Sequence, residues 1–252
     1  MNTPSEKTQA PVVLVTGATG GLGSAICHAF AREGARVLAL YRSSYDKAQA
    51  LCASLEGDGH RPLQAAIDDS AVLNEVAQEV ARDYGRLDCL VNNAGMTRYV
   101  PHEDLPGLDD QLIDDIFRTN WRGPFACIRA FQPLLARSGR AAVVNISSIA
   151  AQTGMGSNVA YCASKAALDS MTRSLARALA PTIRVLSVAP GLIDTEFVKG
   201  LDPEWRDHQV KSTPLQRLAH PDEVAKAVVL AASDLTFTTG ISIPVDGGRP
   251  LG

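Results

Sequence analysis

The sequence predicts an α/β protein: a doubly wound parallel sheet of about seven strands with helices on both faces, formed as a single domain. Three observations predict it. Short apolar, β-branched runs alternate with longer segments of helical periodicity along the chain. The first such run leads straight into a glycine-rich turn and then a helix, which is the start of a βαβ unit. No shift in composition, low-complexity tract or internal repeat marks a linker or a solenoid in the 252 residues.

In chain order, Val12, Val13, Leu14 and Val15 form the first apolar run, and Gly17, Gly20, Gly21 and Gly23 follow at once. Leu22, Ala25, Ile26, Ala29 and Phe30 then recur at helical spacing, Gly34 closes that helix, and residues 36–40 resume a strand. The same reading places strands near 12–16, 36–41, 62–67, 88–92, 141–147, 183–188 and 241–245. Helices are expected near 21–33, 45–56, 70–84, 109–136, 159–180 and 222–232. Residues 1–10, polar and proline-containing, read as a flexible arm, 11–252 as the domain, and the long mixed segment 191–214 as a lid over a pocket. Right-handed crossovers bring the turns that follow the strands to one edge of the sheet.

Composition narrows the function. A formal net charge of −3 without a basic cluster argues against a nucleic-acid surface. No run of 18 apolar residues and no apolar leader are present, so a soluble, cytoplasmic protein that does not bind a membrane is expected. Cys27, Cys52, Cys89, Cys127 and Cys162 lack metal or redox spacing and read as small buried side chains; no metal is expected.

Two constellations carry chemistry. The glycine turn lets a backbone approach a pyrophosphate, and the helix after it offers unpaired N–H groups and a favourable dipole. Tyr161 and Lys165 stand four residues apart, one above the other on a helix, with Ser148 thirteen residues upstream of the tyrosine. An unperturbed phenol, with a pKa near ~10, is a poor acid at neutral pH, and a neighbouring ammonium favours its ionised form. Ser148 would orient the reacting oxygen. Its neighbour Ser147 is the competitor, and the spacing to Tyr161 favours Ser148.

With these residues in view the chain resembles the short-chain dehydrogenase/reductases, from about residue 11 to residue 248. TGATGGLG at 16–23 fits that family's TGxxxGxG turn, Asn92-Asn93-Ala94-Gly95 its NNAG segment, and Ser148, Tyr161 and Lys165 its catalytic triad. Asn120 fits the asparagine that completes a tetrad, and Pro190-Gly191 and the terminal VDGG fit two further signatures. The resemblance implies a Rossmann fold and an NAD(P)-dependent oxidoreductase that interconverts a ketone and a secondary alcohol, with Tyr161 as general acid or base. It also implies that Lys165 grips the nicotinamide ribose and that Asn120, near a helix distortion at Gly123-Pro124, holds a water leading from Lys165 to solvent.

For the cofactor the resemblance implies contacts from Gly17, Thr19, Gly21, Leu22 and Gly23, from Asp68, Asn92, Ala94 and Gly95, and from Tyr161, Lys165, Pro190, Gly191, Ile193 and Thr195. Asp68 would meet the adenine, though Asp69 stands beside it and either could cap the next helix. Asn92 could equally be a local turn residue, and Thr195 a helix N-cap. NAD enzymes of this type usually carry an Asp where Tyr41 stands. That acid is missing, and Arg42 with Ser43 beside it matches a 2′-phosphate in charge and geometry, so NADP(H) is favoured, with NAD(H) possible.

Substrate residues are sought in Met96, Ala150, Gln152, Met155, Phe197 and Trp205, by loop position, with a small Ala150 and a flexible Met155 leaving room for a bulky apolar ketone. The subfamily resemblance is to 3-oxoacyl-acyl-carrier-protein reductases, which would make an acyl carrier protein a partner, met by Arg177 and Arg137 near the mouth. Sugar, polyol or hydroxysteroid dehydrogenases using NAD are the alternative, and a non-catalytic nucleotide sensor is a remote one. Apolar stripes Ile116, Phe125, Ile128 and Leu168, Met171, Leu175, Leu179 lie on the two helices that pair in the family, so a homotetramer is expected, with a dimer next.

Overall fold

A computed structural model of the chain describes residues 10–195, 198 and 202–251. Strands β1 (Val12–Thr16), β2 (Arg36–Tyr41), β3 (Arg61–Gln64), β4 (Cys89–Asn92), β5 (Ala141–Ile146), β6 (Ile183–Pro190) and β7 (Ser242–Val245) form one sheet in the order β3-β2-β1-β4-β5-β6-β7. Every pairing is parallel. The order reverses between β1 and β4, and a ligand crevice opens at such a switch point, outside the carboxyl ends of the strands. Along β1 the side chains alternate between two cores. Leu14 packs with Leu38, Leu90, Val143 and Val185 under α3 (Ser70–Tyr84), α5 (Gly123–Ser138) and α7 (Val159–Leu179). Val13 and Val15 pack with Val37, Val91 and Val144 under α1 (Gly21–Arg32) and the helix Pro221–Ser233.

Remaining elements are α2 (Tyr45–Ser54), α4 (Asp110–Phe117), α6 (Ala150–Thr153), α8 (Pro203–Lys211), the helix at Pro221–Ser233, here α9, and a short 3-10 turn at Arg249–Leu251. Two expectations shift. The strand near 62–67 ends at Gln64, because β3 is an edge strand paired only with β2, where Pro62 is tolerated. The single helix expected at 109–136 is two helices joined by a π-helical turn at Arg118–Arg122, in which the Gly123 amide donates to the Arg118 carbonyl. Pro124 has no amide hydrogen to return to residue 120, so the α ladder cannot pass through and resumes beyond it. Asn120 therefore sits in the distortion.

The apolar stripes on α4, α5 and α7 are largely consumed within the protomer. Ile116, Ile128, Leu168 and Met171 are buried in its own cores, while Phe125, Leu175 and Leu179 remain half-buried at the surface. Among the described residues no helix is long and apolar enough to cross a membrane, and no cluster of His, Cys, Asp and Glu could hold a metal.

Candidate active site

At the switch point the glycine turn is held by a close approach. Gly17 adopts a φ of +63°, and a Cβ there would stand 2.9 Å from the Ala94 Cα. One on Gly23 would lie 2.8 Å from Asn93 Nδ2 and collide with the Gly17 carbonyl. Two residues that sequence reasoning quoted without a role complete this joint. Asn93 Nδ2 donates to the carbonyls of Thr16 and Gly17 at 3.0 and 3.2 Å, and Thr16 Oγ1 accepts from the amides of Asn93 and Ala94 at 3.0 Å each. Polar side chains flanking a strand-end glycine were the available signal.

Helix α1 begins at Gly21 after Gly20, which supplies no side-chain cap, so its first amides stay free for an anion. Gly21 and Thr195 face each other across this opening, since a Cβ on Gly21 would meet Thr195 Cγ2 at 3.5 Å. Thr195 also accepts from the Val198 amide at 3.5 Å, so the capping alternative holds alongside. Arg42 and Ser43 are exposed at the end of β2, and no acid stands there. Glycine turn and uncapped helix fit the pyrophosphate of a nicotinamide dinucleotide. Thr19 and Leu22 lie half-buried in the same turn, and Ile193 forms an isolated parallel bridge with Ala219 below the Pro190-Gly191 corner.

Asp68 and Asp69 separate cleanly. Asp69 caps α3 through the amides of Ala71 and Val72, while the Asp68 carboxylate lies 3.7 Å from Arg118 Nε. Asn92 departs from expectation. It is 2% exposed, and its amide donates to Asn145 Oδ1 at 2.8 Å, so the side chain ties β4 to β5 inside the sheet. Asn145 donates onward to Thr172 on α7 at 2.8 Å, and Thr172 meets Ser187 on β6 at 2.9 Å.

Tyr161, Lys165 and Ser148 come together beside this opening. Asn158 caps α7 by accepting from the Tyr161 amide at 2.7 Å, which fixes the tyrosine in the first helical turn. Burial pushes the Tyr161 phenol up, and hydrogen bonding from the Ser148 side chain works against that rise. Lys165 is 6% exposed; its Nζ donates to the Ile146 carbonyl at 2.7 Å and lies 5.7 Å from the centre of the Tyr161 ring. Burial lowers its pKa to about 8, opposed by the charge of Asp169 one turn on. Ser147 is buried and its hydroxyl makes no hydrogen bond, so Ser148 is the serine at the site.

Asn120 is fully buried. Its Oδ1 accepts from the Met96 amide at 2.8 Å, and its Nδ2 donates to the Met96 carbonyl at 2.9 Å and to Ser164 Oγ at 3.2 Å. Gly95 lies between the two polar groups, because a Cβ there would stand 3.3 Å from Asn120 Oδ1 and 3.8 Å from Lys165 Nζ. Gly156, another unassigned residue, presses on Tyr161: an added Cβ would be 3.2 Å from its ring and 2.8 Å from Cys162 Sγ.

The expected substrate residues divide. Met96 is half-buried beside Asn120, and Gln152 and Met155 are exposed at the mouth. Ala150 is buried behind Gly156, so it backs the wall instead of forming its surface. Trp205 is half-buried on α8, and Phe197 lies outside the described residues. Arg177 and Arg137 fall far from the mouth. Arg177 stands sixteen residues beyond Tyr161 on α7, about 24 Å along the axis, and both it and Arg137 sit at helix ends that lead into the amino edges of β6 and β5.

Comparison with known proteins follows this geometry. Residues 17–249 match the family model described as enoyl-(acyl carrier protein) reductase. A protein assigned as ketoacyl reductase 2 of the granaticin polyketide synthase of Streptomyces violaceoruber is 37% identical over 98% of this chain and 99% of its own. The 3-oxoacyl-[acyl-carrier-protein] reductase FabG of Staphylococcus aureus is 35% identical over 93% and 96%. D-threitol dehydrogenase of Mycolicibacterium smegmatis is 37% identical over 95% and 93%. A crystal structure assigned as a short-chain dehydrogenase/reductase from Burkholderia xenovorans superposes with a TM-score of 0.89 at 32% identity, covering 98% of this chain and all of that one.

Proposed function

Because the chain belongs to the short-chain dehydrogenase/reductase family and is an enzyme of carbonyl and alcohol groups, we propose that it is an NADPH-dependent ketoreductase. The observation that carries this reading is the Tyr161 phenol, whose rise on burial the Ser148 side chain opposes, with the Lys165 ammonium buried beside it at the nucleotide opening. The glycine turn and Thr195 would hold the nicotinamide cofactor, which would supply the hydride. Ser148 and Tyr161 hold the carbonyl oxygen, and the Tyr161 hydroxyl gives its proton to the oxygen as negative charge develops there. Lys165 keeps the phenolate that results from being an isolated buried anion. Asn120, across Gly95 from Lys165, is positioned to pass the replacement proton inward by way of water. Arg42 and Ser43 select the 2′-phosphate, Asp68 takes the adenine side, and Ala94, Gly95, Pro190, Gly191 and Ile193 line the crevice between.

The exposed Arg42 and the absence of an acid at Tyr41 favour NADPH over NADH. A second reading, an NAD-linked polyol dehydrogenase, draws support from the threitol dehydrogenase relative. We further infer a cytoplasmic homotetramer, to be checked by light scattering, where a monomer would remove it. The function is tested by calorimetry with NADPH and NADH, followed by turnover of a ketone panel with wild type and Tyr161→Phe. Tight NADPH binding by both proteins with turnover lost only in the variant supports it. Preference for NADH would move the assignment to the second reading.

A further inference from the structure

The surroundings of Tyr161 differ sharply in charge from what an acidic carrier would need. Segment 96–108, following β4, is laced to the loop before α7. The Val100 amide donates to the Ser157 carbonyl at 2.9 Å, Asn158 Nδ2 donates to the Arg98 carbonyl at 2.7 Å, and His102 meets the Gly156 carbonyl at 3.2 Å. The two loops together form one wall of the entrance, ending three residues from Tyr161. On that wall large apolar side chains stand in solvent: Leu105 is 71% exposed, Tyr99 68% and Met155 59%, with Val159 beside them. Residues 148–159 carry no charge.

Around this apolar rim the charge is negative. Glu103, Asp104, Asp109, Asp110, Asp114 and Asp115 fall within thirteen residues of sequence on the same wall. Arg98 pairs with Asp109 at 3.1 Å and Arg118 with Asp115 and Asp68, which leaves Glu103, Asp104, Asp110 and Asp114 as acids without an ion pair among the described residues. Arg137 and Arg177, the cations that could have received a carrier, lie at the far edge of the sheet.

We propose that this entrance selects neutral, apolar ketones taken free from solution and disfavours acyl chains borne on anionic carriers. The inference rests on the ketoreductase reading of the same site. Exposed apolar side chains are here gathered on two loops that are tied to each other just before the helix carrying the catalytic tyrosine, which suits an extended hydrocarbon or fused-ring body. An acidic rim repels a phosphopantetheine phosphate, a coenzyme A nucleotide or an acidic carrier protein, and the repulsion weakens as salt screens it. Neutral hydroxylated ketones meet no repulsion but find few hydrogen-bond partners on the apolar wall.

The test is steady-state reduction by the full chain at saturating NADPH of four probes: 1-decalone, dihydroxyacetone, acetoacetyl-coenzyme A and acetoacetyl-acyl carrier protein. At low salt, kcat/KM for decalone should exceed the other three at least tenfold. For the two anionic thioesters it should rise several-fold between ~20 mM and ~0.5 M salt, while decalone stays level. Glu103→Lys with Asp114→Lys, both exposed and outside the catalytic group, should raise the thioester values about threefold or more at low salt without changing decalone. Faster turnover of either thioester than of decalone, with kcat/KM falling as salt rises, would overturn the inference and leave the ketoreductase intact. Dihydroxyacetone as the best probe would also overturn it. Failure to reduce any of the four while NADPH binds would remove the ketoreductase reading itself, and the inference with it.

Discussion

Lys165 lies beside the Tyr161 ring, 5.7 Å from its centre, but spends its short hydrogen bond on the Ile146 carbonyl. The pair is thus linked by charge more than by contact. The strand end at Ile146 fixes where that charge sits, and burial makes it costly to keep.

The pH dependence of reduction follows from this placement. Lys165 titrates at about 8, whereas burial holds Tyr161 above its ordinary range, so lysine is the first of the two to lose its proton as pH rises. The kcat/KM for a neutral ketone should fall through a limb near pH 8. Asp169→Asn removes the charge opposing that depression and should move the limb to lower pH. An unmoved limb would assign it to another group.

Stability should carry the opposite slope. A lysine that titrates at about 8 when folded and 10.5 when unfolded binds fewer protons in the native state between those values, so its contribution to the unfolding free energy rises with pH across that window. Full expression would amount to about 3 kcal/mol. Tyr161 acts in the other sense above about 10, and so do Cys27, Cys52, Cys89, Cys127 and Cys162, whose thiols burial pushes up, from about 9 upward. The thiols are common to wild type and Lys165→Met, so the Lys165 share is the difference between the two proteins in how the urea midpoint changes from pH 7.5 to 9.5, wild type gaining relative to the variant.

Gly23→Ala should damage both the fold and nucleotide binding, because the new methyl collides with the Gly17 carbonyl and Asn93. A loss of about 2 kcal/mol or more is expected, lowering the melting temperature by roughly 4–8 °C, with NADPH affinity down at least ~100-fold. Gly20→Ala, whose Cβ meets nothing closer than 3.5 Å, should leave the melting temperature unchanged.

Arg42→Ala should weaken NADPH by about 1.5–3 kcal/mol, roughly 10- to 150-fold, and leave NADH within a few-fold. Titration calorimetry with both nucleotides checks it. Equal losses for the two would place Arg42 on the adenine.

Asn145→Ala opens the buried row by removing an acceptor from Asn92 and a donor to Thr172. Orphaning those groups should cost about 2–4 kcal/mol in urea unfolding. Asn92 is expected to lose most, since its Oδ1 already has no partner among the described residues and its Nδ2 would then lose its acceptor.

Much of this was legible in the sequence because the chemistry is local. Gly17 to Gly23, Tyr161 with Lys165, and the alternation of strands and helices each depend on neighbours a few residues away, and the fold places them as read. Misreadings arose where a tertiary partner decides. Asn92 adjoins the motif that suggested a cofactor role, yet its in-register neighbour Asn145 lies on another strand and draws it inward. The apolar stripe through Ile128 and Met171 reads the same whether it faces a subunit or its own core. Arg177 belongs to the right helix, but a helix of 21 residues is long enough to carry its far end across the whole sheet. Gly156 gave no signal beyond its type, since its contacts with Tyr161 and Cys162 are made across the site.

The strand order also governs how the chain can assemble. With every pairing parallel, no hairpin can form first, and β1 acquires its second neighbour only when Val13 meets Cys89. During synthesis β1, β2 and β3 can gather while one side of β1 stays open, and the Gly17 turn has no Ala94 to lean on until β4 has docked. Nucleotide should therefore bind late, after both halves of the sheet have joined, and act as a clamp on the finished protein instead of a template for its assembly.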